Sequence, residues 1–403
     1  MKRKSLLLCS VTALVTCAQA QLTIPGANGA DGPLIVSTSM GIDLSKATNG
    51  VWNDPLPTAG KGIYDSNKWA VVFRYSSVSI ANGATLTFTN HPKHPPVVWL
   101  VSGDVTINGA ISLDGQPGAS DAGSVPEPGP GGFRGGAGIY NGNGILHDGS
   151  GFGPGGGYNN DLGEQWGVYS RGANAYGNAQ ILPLIGGSGG EGGSVANGGG
   201  AGGALLIAAS NNITINGYIH ANGGIGGNYG GNGSAGAIRL VGNRILGTGT
   251  VQAALPSPPA TFGRIRLEAF DTSVTGNLSN APPTVVTPSG NPATIWPPDT
   301  APTARITKVA TLDVTADPSA SLNLGGGDLI IGNTNAIAVE VETVNFPTNG
   351  SGKVDVSFKP RNSAPYTIPA AWLNGDTNLA HWRATTILSN YYTVIQARAH
   401  TTN

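Results

Sequence analysis

Cysteine is almost absent from this chain of 403 residues, and both copies, Cys9 and Cys17, lie within the first twenty residues. A chain without the first twenty residues would contain no cysteine, which excludes disulfides, thiolate metal ligands and thiolate nucleophiles. Charged residues make up only 11% of the sequence, against roughly 25% in ordinary globular proteins. We therefore expect a surface built from Asn, Ser, Thr, Gly and exposed backbone.

Long hydrophobic runs and long helical periods are also missing after residue 20. No later apolar run approaches the roughly twenty residues needed to cross a bilayer, so the sequence predicts no transmembrane segment there. Without the first twenty residues the chain has 18 basic and 22 acidic residues. This mildly acidic balance does not favour nucleic acid, whose protein partners concentrate Lys and Arg on one face.

The first twenty residues have the three parts of a secretory signal peptide. Basic residues at positions 2–4 precede an apolar run at 6–15, and Ala18-Gln19-Ala20 forms a small-residue cleavage site. The sequence therefore predicts cleavage after Ala20 and a secreted protein or one at the outer cell surface.

An internal repeat organises the middle of the chain. Thr106–Gly115 (TINGAISLDG) matches Thr214–Gly223 (TINGYIHANG) at six of ten positions. Later units recur after 32 and 27 residues, within the range of solenoid repeats. The pattern predicts equivalent strands beginning at Leu206, Ile238 and Ile265, equivalent turns at Gly217, Gly249 and Gly276, and following strands beginning at Ile219, Val251 and Leu278. We expect Leu206, Ile238 and Ile265 to form one interior column of stacked side chains.

The repeat text resembles a known fold group. The stretches GDVTINGAISLDG, SAGAIRLVGNRILGTGTVQA and FGRIRLEAF are similar to the right-handed parallel β-helix group typified by pectin-lyase-like proteins. They look most like a glycine-rich type found among exported bacterial proteins of unassigned role. The resemblance covers about residues 69–278 and implies a coil shape, a β-solenoid, rather than an activity.

The domain organisation follows from this pattern. We predict an all-β chain: a signal peptide at 1–20, an N-terminal cap or extended segment at 21–68, a parallel β-helix at 69–278 with a glycine-rich insertion at 116–203, a Pro-rich linker at 279–302, and a β-sandwich at 303–403. Alternating apolar and polar residues in RITKVATLDVTA, AIAVEVETVNF and KVDVSFKP are typical of an antiparallel sandwich. Its pattern looks immunoglobulin-like, without the cysteine pair of antibody domains.

The insertion admits two structures. It is either a flexible loop, because glycine is costly to order, or a set of extended polyglycine helices packed through their backbones. Such packing resembles the receptor-binding tips of some phage tail fibres and a glycine-rich antifreeze protein. The shorter run Gly223–Gly236 would join the same layer.

Aromatic and amide side chains on the insertion are the candidate ligand-binding residues. Flat rings can cover the apolar faces of sugars while amides bind hydroxyl groups. The alternative is that the rings pack against the side of the solenoid as core. The candidates are Tyr140, Tyr158, Asn159, Asn160, Trp166, Tyr169 and Tyr176.

Candidate catalytic residues are few. Arg239 and Arg266 align between repeats, and Glu268 lies two residues after Arg266 on the same strand face. They could serve a polysaccharide lyase or hydrolase, which needs a proton acceptor or paired carboxylates; the alternative is a solvated ion pair on the outer face. The prolines around His91 and His94 oppose a shared metal site, and Gly186–Glu191 (GGSGGE) departs from the calcium-binding nonapeptide pattern. We predict neither metal nor cofactor.

Three functions remain open. The first is noncatalytic adhesion or glycan contact at the cell surface, with a polysaccharide or a cell-envelope component as partner. The second is polysaccharide cleavage on the β-helix face. The third is a passive structural role in the envelope or matrix.

Overall fold

Strands dominate the described chain, as the sequence predicts. In a computed structural model the described residues are 22–49, 62–119, 126–138, 151–156, 177–193, 196–228, 230–254, 263–271, 274–275, 284–286, 290–314, 329–332, 335–360, 365–388 and 393–402. The helix among them is one short 3-10 turn, Leu44–Lys46, capped by Asp43. The all-β prediction is confirmed.

Nineteen strands precede residue 290 in the described part of the chain. They are β1 Pro33–Val36, β2 Met40–Asp43, β3 Thr48–Asn49, β4 Ile63–Asp65, β5 Ala70–Tyr75, β6 Ser77–Ile80, β7 Thr85–Thr89, β8 Val97–Val101, β9 Val105–Ile107, β10 Ala110–Ser112, β11 Ala204–Ala209, β12 Asn212–Ile215, β13 Tyr218–His220, β14 Ala237–Gly242, β15 Arg244–Leu246, β16 Thr250–Gln252, β17 Arg264–Ala269, β18 Val274–Thr275 and β19 Thr284–Val286.

These strands form three sheets. Sheet A has the order β1-β6-β9-β12-β15-β18, sheet B the order β16-β13-β10-β7-β2, and sheet C the order β19-β17-β14-β11-β8-β5-β4-β3. Neighbouring strands pair in parallel, apart from the antiparallel pair β4 and β5. From β5 onward the chain visits sheets C, A and B in turn, so each complete pass adds one strand to each sheet.

The predicted repeat stacks in register. Thr106 pairs with Thr214 between β9 and β12, and Ile111 pairs with Ile219 between β10 and β13. Ile219 in turn pairs with Val251, as the repeat predicts. The predicted positions Gly276 and Leu278 lie outside the described residues. Among the described residues, these predicted equivalent positions therefore lie in register.

One predicted column is wrong by one residue. Leu205, not Leu206, pairs with Ile238, while Leu206 pairs with Arg239. Leu205 packs inside the three sheets, and Leu206 packs on the outer face of sheet C. Every residue of β11 is buried, so the strand shows no polar alternation that would fix which side faces inward.

The interior between the sheets is filled by aliphatic columns and, in the early passes, by aromatic rings. Phe73 stacks on Tyr75 at 5.4 Å between ring centroids, and Tyr75 meets Trp99 edge-on at 5.7 Å. Burial, with a smaller contribution from Asp31, raises the pKa of the Tyr75 hydroxyl above its usual range. Each fully buried large apolar side chain stabilises the fold by about 1.5–3 kcal/mol.

The described glycine runs form an ordered layer between sheets B and C. Residues 197–203, here called the central glycine run, lie at its centre. Their N–H groups donate to backbone carbonyl oxygens at 2.8–3.0 Å, and the accepting segment recurs every three residues. Three neighbouring segments accept these hydrogen bonds. Residues 136 and 133 accept from residues 198 and 201, residues 231 and 234 accept from residues 199 and 202, and residues 116 and 113 accept from residues 200 and 203. Three residues per turn is the period of a polyproline II-type helix, so the described runs follow the packed alternative.

Close packing explains why this layer is made of glycine. A Cβ on Gly199 would overlap the carbonyl oxygen of Gly224, and one on Gly202 would overlap that of Ala221. The runs also continue the sheets, since Gly203 N–H donates to Leu113 O at 2.8 Å, next to the start of β11. The layer therefore grows out of the connections that lead from sheet B to sheet C.

The C-terminal unit, residues 303–402, contains two antiparallel sheets around one core. Its strands are β20 Thr303–Val309, β21 Leu312–Asp313, β22 Ile337–Val344, β23 Gly352–Pro360, β24 Tyr366–Pro369, β25 Ala371–Gly375, β26 Leu379–Thr386 and β27 Thr393–Thr401. The sheet orders are β21-β20-β22-β26-β25 and β24-β23-β27. Val341, Trp382 and Val356 meet in the shared core. The predicted alternation is confirmed in β22, which is buried at every second residue.

Candidate functional site

The three candidate catalytic residues do meet, on the outer face of sheet C. Arg239 of β14 lies in register with Arg266 of β17. Both Nε atoms donate to Glu268 Oε1, at 2.7 and 2.8 Å. Arg239 is only 2% exposed and Glu268 only 4% exposed. The predicted alignment is confirmed, but the interpretation as a solvated outer ion pair is wrong because a later segment of the chain covers the cluster.

That covering segment belongs to the Pro-rich stretch predicted as a linker. Arg239 Nη2 donates to Thr294 O at 2.7 Å, and Nη1 donates to Ile295 O at 3.4 Å. Asn291 Oδ1 accepts from Thr23 N–H at 2.9 Å, which joins the segment to the start of the described chain. The Arg239 side chain therefore holds residues 294–295 against sheet C and is closed to a polymer.

Apolar packing completes the cover over sheet C. Three separate segments contribute buried side chains to it: Leu22 and Ile24, Ile181 and Leu184, and Ala293 and Ile295. They pack against outward residues of sheet C such as Val98 and Leu206. Sheet C is therefore covered on both faces, and the buried Arg239 and Glu268 lie among the apolar residues of its outer face.

A cleft remains open beside this cover. Its volume is 270 Å³, and it lies between sheet C, the segment around Leu184, the segment 295–301, and the C-terminal unit at Asn345. Charged residues lining it are Lys68, Arg239 and Asp299. The Lys68 ammonium lies 5.9 Å from the centre of the Trp296 ring. No sequence pattern indicates this cleft, because its walls come from distant segments.

All predicted ligand-binding residues of the insertion lie outside the described residues: Tyr140, Tyr158, Asn159, Asn160, Trp166, Tyr169 and Tyr176. Two other insertion rings are described. Phe133 is 6% exposed and lies 6.4 Å from the Trp69 ring, while the Arg134 guanidinium lies 4.1 Å from the centre of Phe152. Phe133 therefore lies beside a residue outside the insertion, and Phe152 lies beside one within it.

The outer face of sheet B presents a row of polar side chains that sequence reasoning missed. Ser112, His220 and Gln252 pair in register on successive strands. His220 Nδ1 lies 2.7 Å from Asp114 Oδ2, and the neighbouring Tyr218 is 59% exposed. The available sequence signal was the alternation of polar and apolar residues in Tyr-Ile-His, which the burial pattern of β13 follows.

A buried histidine marks the junction of sheet C and the glycine layer. His94 is 6% exposed, and neither ring nitrogen has a hydrogen-bond partner within the described residues. Its Nδ1 lies 4.0 Å from Glu127 Oε2, and its carbonyl accepts from Gly131 N–H at 3.1 Å. Burial lowers the pKa of His94; Glu127 opposes this shift and Arg134 adds to it.

In the described ranges, no helix is long and apolar enough to span a membrane, and no three His, Cys, Asp or Glu side chains are grouped so that they could hold a metal ion. Comparison of the chain with protein-family models, curated proteins and solved structures finds no match.

Proposed function

We propose that this chain is an exported β-solenoid protein that contacts polysaccharide at the cell surface without cleaving it, and that its C-terminal unit is an immunoglobulin-like sandwich. The parallel passes through sheets C, A and B support the solenoid. Export is supported by the leader-like composition of residues 1–20.

The polar row on the outer face of sheet B is the main support for a role in polysaccharide contact. Strand neighbours lie about 4.8 Å apart, so Ser112, His220 and Gln252 form a straight polar row along the solenoid. Tyr218 lies beside this row and is 59% exposed. A flat, regular face with a ring and hydrogen-bonding groups suits an extended sugar polymer, whose rings offer apolar faces and hydroxyl groups.

Arg239 supports contact rather than cleavage at the candidate catalytic cluster. Its guanidinium donates to Glu268 and to two backbone carbonyls, and Arg239 is only 2% exposed. A lyase or hydrolase must place its proton-transferring group within hydrogen-bond reach of the polymer. The cluster does not offer that access.

A polysaccharide array screen tests the proposal, read for both retention and release of new chain ends. We expect retention without new ends, and a strong loss of retention for Tyr218→Ala. Trp372→Ala is the matched control, because Trp372 is also about half exposed (50%) but lies on the C-terminal unit. The double variant Trp166→Ala and Tyr169→Ala asks whether the insertion contributes.

Each other outcome has a definite meaning. Retention that survives Tyr218→Ala but not the insertion variant moves the contact surface to the insertion. New chain ends would contradict the noncatalytic role and direct attention to the Asp114–His220 pair. An array with neither signal would favour a passive structural role.

A further inference from the structure

The arginine cluster on sheet C carries more positive than negative charge. Arg239 and Arg266 share one carboxylate oxygen of Glu268, so the three side chains have a net charge of plus one. The Arg239 side chain is 3% exposed and that of Glu268 is 5% exposed. A charge that is removed from water without a full counter-charge is costly. An anion beside the cluster would lower that cost.

The cleft described above lies beside this cluster. Arg239 lines it, and two of the five N–H groups of its guanidinium make no hydrogen bond within the described residues. Lys68 also lines it and makes no ion pair within the described part of the chain. Asp299 is the acidic residue among the lining groups, and it lies on the exposed rim. Two cationic side chains therefore share the cleft with donors to spare.

The other walls of the cleft are apolar. They include Val98, Leu206 and Ile295, together with the half-buried ring of Trp296. The volume of 270 Å³ is slightly below the roughly 300–1,000 Å³ of pockets that hold drug-sized ligands. The ligand must therefore be small, with one anionic group and a compact hydrocarbon body.

We propose that the cleft between sheet C and the C-terminal unit binds a small organic carboxylate with an apolar body. The carboxylate accepts hydrogen bonds from the Lys68 ammonium and the Arg239 guanidinium, and the body packs on Leu206, Ile295 and Trp296. This site is independent of the proposed polysaccharide contact on sheet B, so either can fail without the other.

Phenylacetate and its neutral analogue phenylacetamide are the probes, and titration calorimetry of the full chain without its leader is the measurement. We expect saturable binding of phenylacetate and at least about tenfold weaker binding of the amide, because charge-assisted hydrogen bonds are stronger than neutral ones. Lys68→Met should weaken phenylacetate binding by about tenfold. Lys46→Met is the matched control, since the Lys46 side chain is 69% exposed and pairs with Asp43 on another part of the surface.

Circular dichroism checks that each variant is folded, and Lys68→Gln replaces Lys68→Met if the latter is not. The site is refuted by the absence of saturable phenylacetate binding, by equal affinities for acid and amide, or by equal effects of the changes at Lys68 and Lys46. Phenylacetate binding that is lost only with the Lys68 change supports it, whatever the polysaccharide array shows.

Discussion

Substitution of Gly199 by alanine should separate two runs of the glycine layer. Gly199 lies in the central glycine run, and an added Cβ would overlap the carbonyl oxygen of Gly224 and lie 2.9 Å from the backbone nitrogen of Gly233. Both neighbours are backbone atoms, which cannot rotate away as a side chain can. The run that contains Gly224 must therefore move outward.

The cost follows from the bonds that this movement breaks. Gly224 and Gly227 donate to Gly200 O and Asn197 O at 2.8 and 2.9 Å. Two hydrogen bonds at a net of about 0.5–1.5 kcal/mol each give about 1–3 kcal/mol, which is also the usual range for overpacking. Alanine also lowers the conformational entropy of the unfolded chain, which offsets about 0.4–1 kcal/mol of this destabilisation. We expect a net destabilisation of about 1–2 kcal/mol.

Urea unfolding followed by tryptophan fluorescence measures the global effect, and hydrogen exchange at Gly224 and Gly227 measures the local one. The control is Gly332→Ala, because Gly332 has no atom within 4 Å of an added Cβ. That variant should be neutral or slightly stabilised. If both variants unfold at the same urea concentration and the Gly224 amide keeps its protection, the packed layer as described here is incorrect.

Two further changes test the buried polar groups. Glu268→Gln should destabilise the chain by about 3–5 kcal/mol in urea unfolding, because two guanidiniums lose their buried counter-charge. The control is Glu342→Gln, which should cost about 0–1 kcal/mol because Glu342 pairs with an arginine side chain that is 53% exposed. Equal costs for the two variants would contradict the buried cluster. Burial holds the pKa of His94 below its ordinary 6.5, so the unfolded chain binds the proton more readily and stability falls as pH drops below 6.5. His94→Asn, which tolerates the positive φ of 47°, should reduce the loss of stability between neutral pH and pH 5, and an unchanged pH dependence would contradict the assignment.

The parallel passes could be predicted because equivalent residues recur at equivalent positions. Thr106 and Thr214 are neighbours in space although 108 residues separate them, and the matching text around them was sufficient to pair them. The corners of successive repeats are neighbours in the same way, because Asn243 N–H donates to Asn211 O at 2.8 Å. Short-range sequence similarity predicts long-range contact whenever repeats stack.

The cover over sheet C could not be predicted in this way. An apolar residue such as Leu206 fits either side of a strand that is buried on both faces. Its burial on the outer side depends on three distant segments, one of which is residues 290–296. The burial of the charged Arg239 could not be predicted for the same reason. It depends on Thr294, which lies more than fifty residues later and outside any repeat. A repeat pattern predicts the strand but not the distant segment that packs on it.

The glycine layer depends on the sheets for its stability. Glycine loses about 0.5–1 kcal/mol more conformational freedom than alanine on ordering, and each net hydrogen bond returns about 0.5–1.5 kcal/mol, so a glycine run gains little by itself. The central glycine run divides its seven donated hydrogen bonds among three neighbouring runs, so no single pair of runs is stable alone. Sheets B and C supply the missing constraint, because Leu113 and Ala204 fix the two ends of the insertion one residue beyond β10 and at the start of β11. The layer should therefore lose its exchange protection before the sheets do.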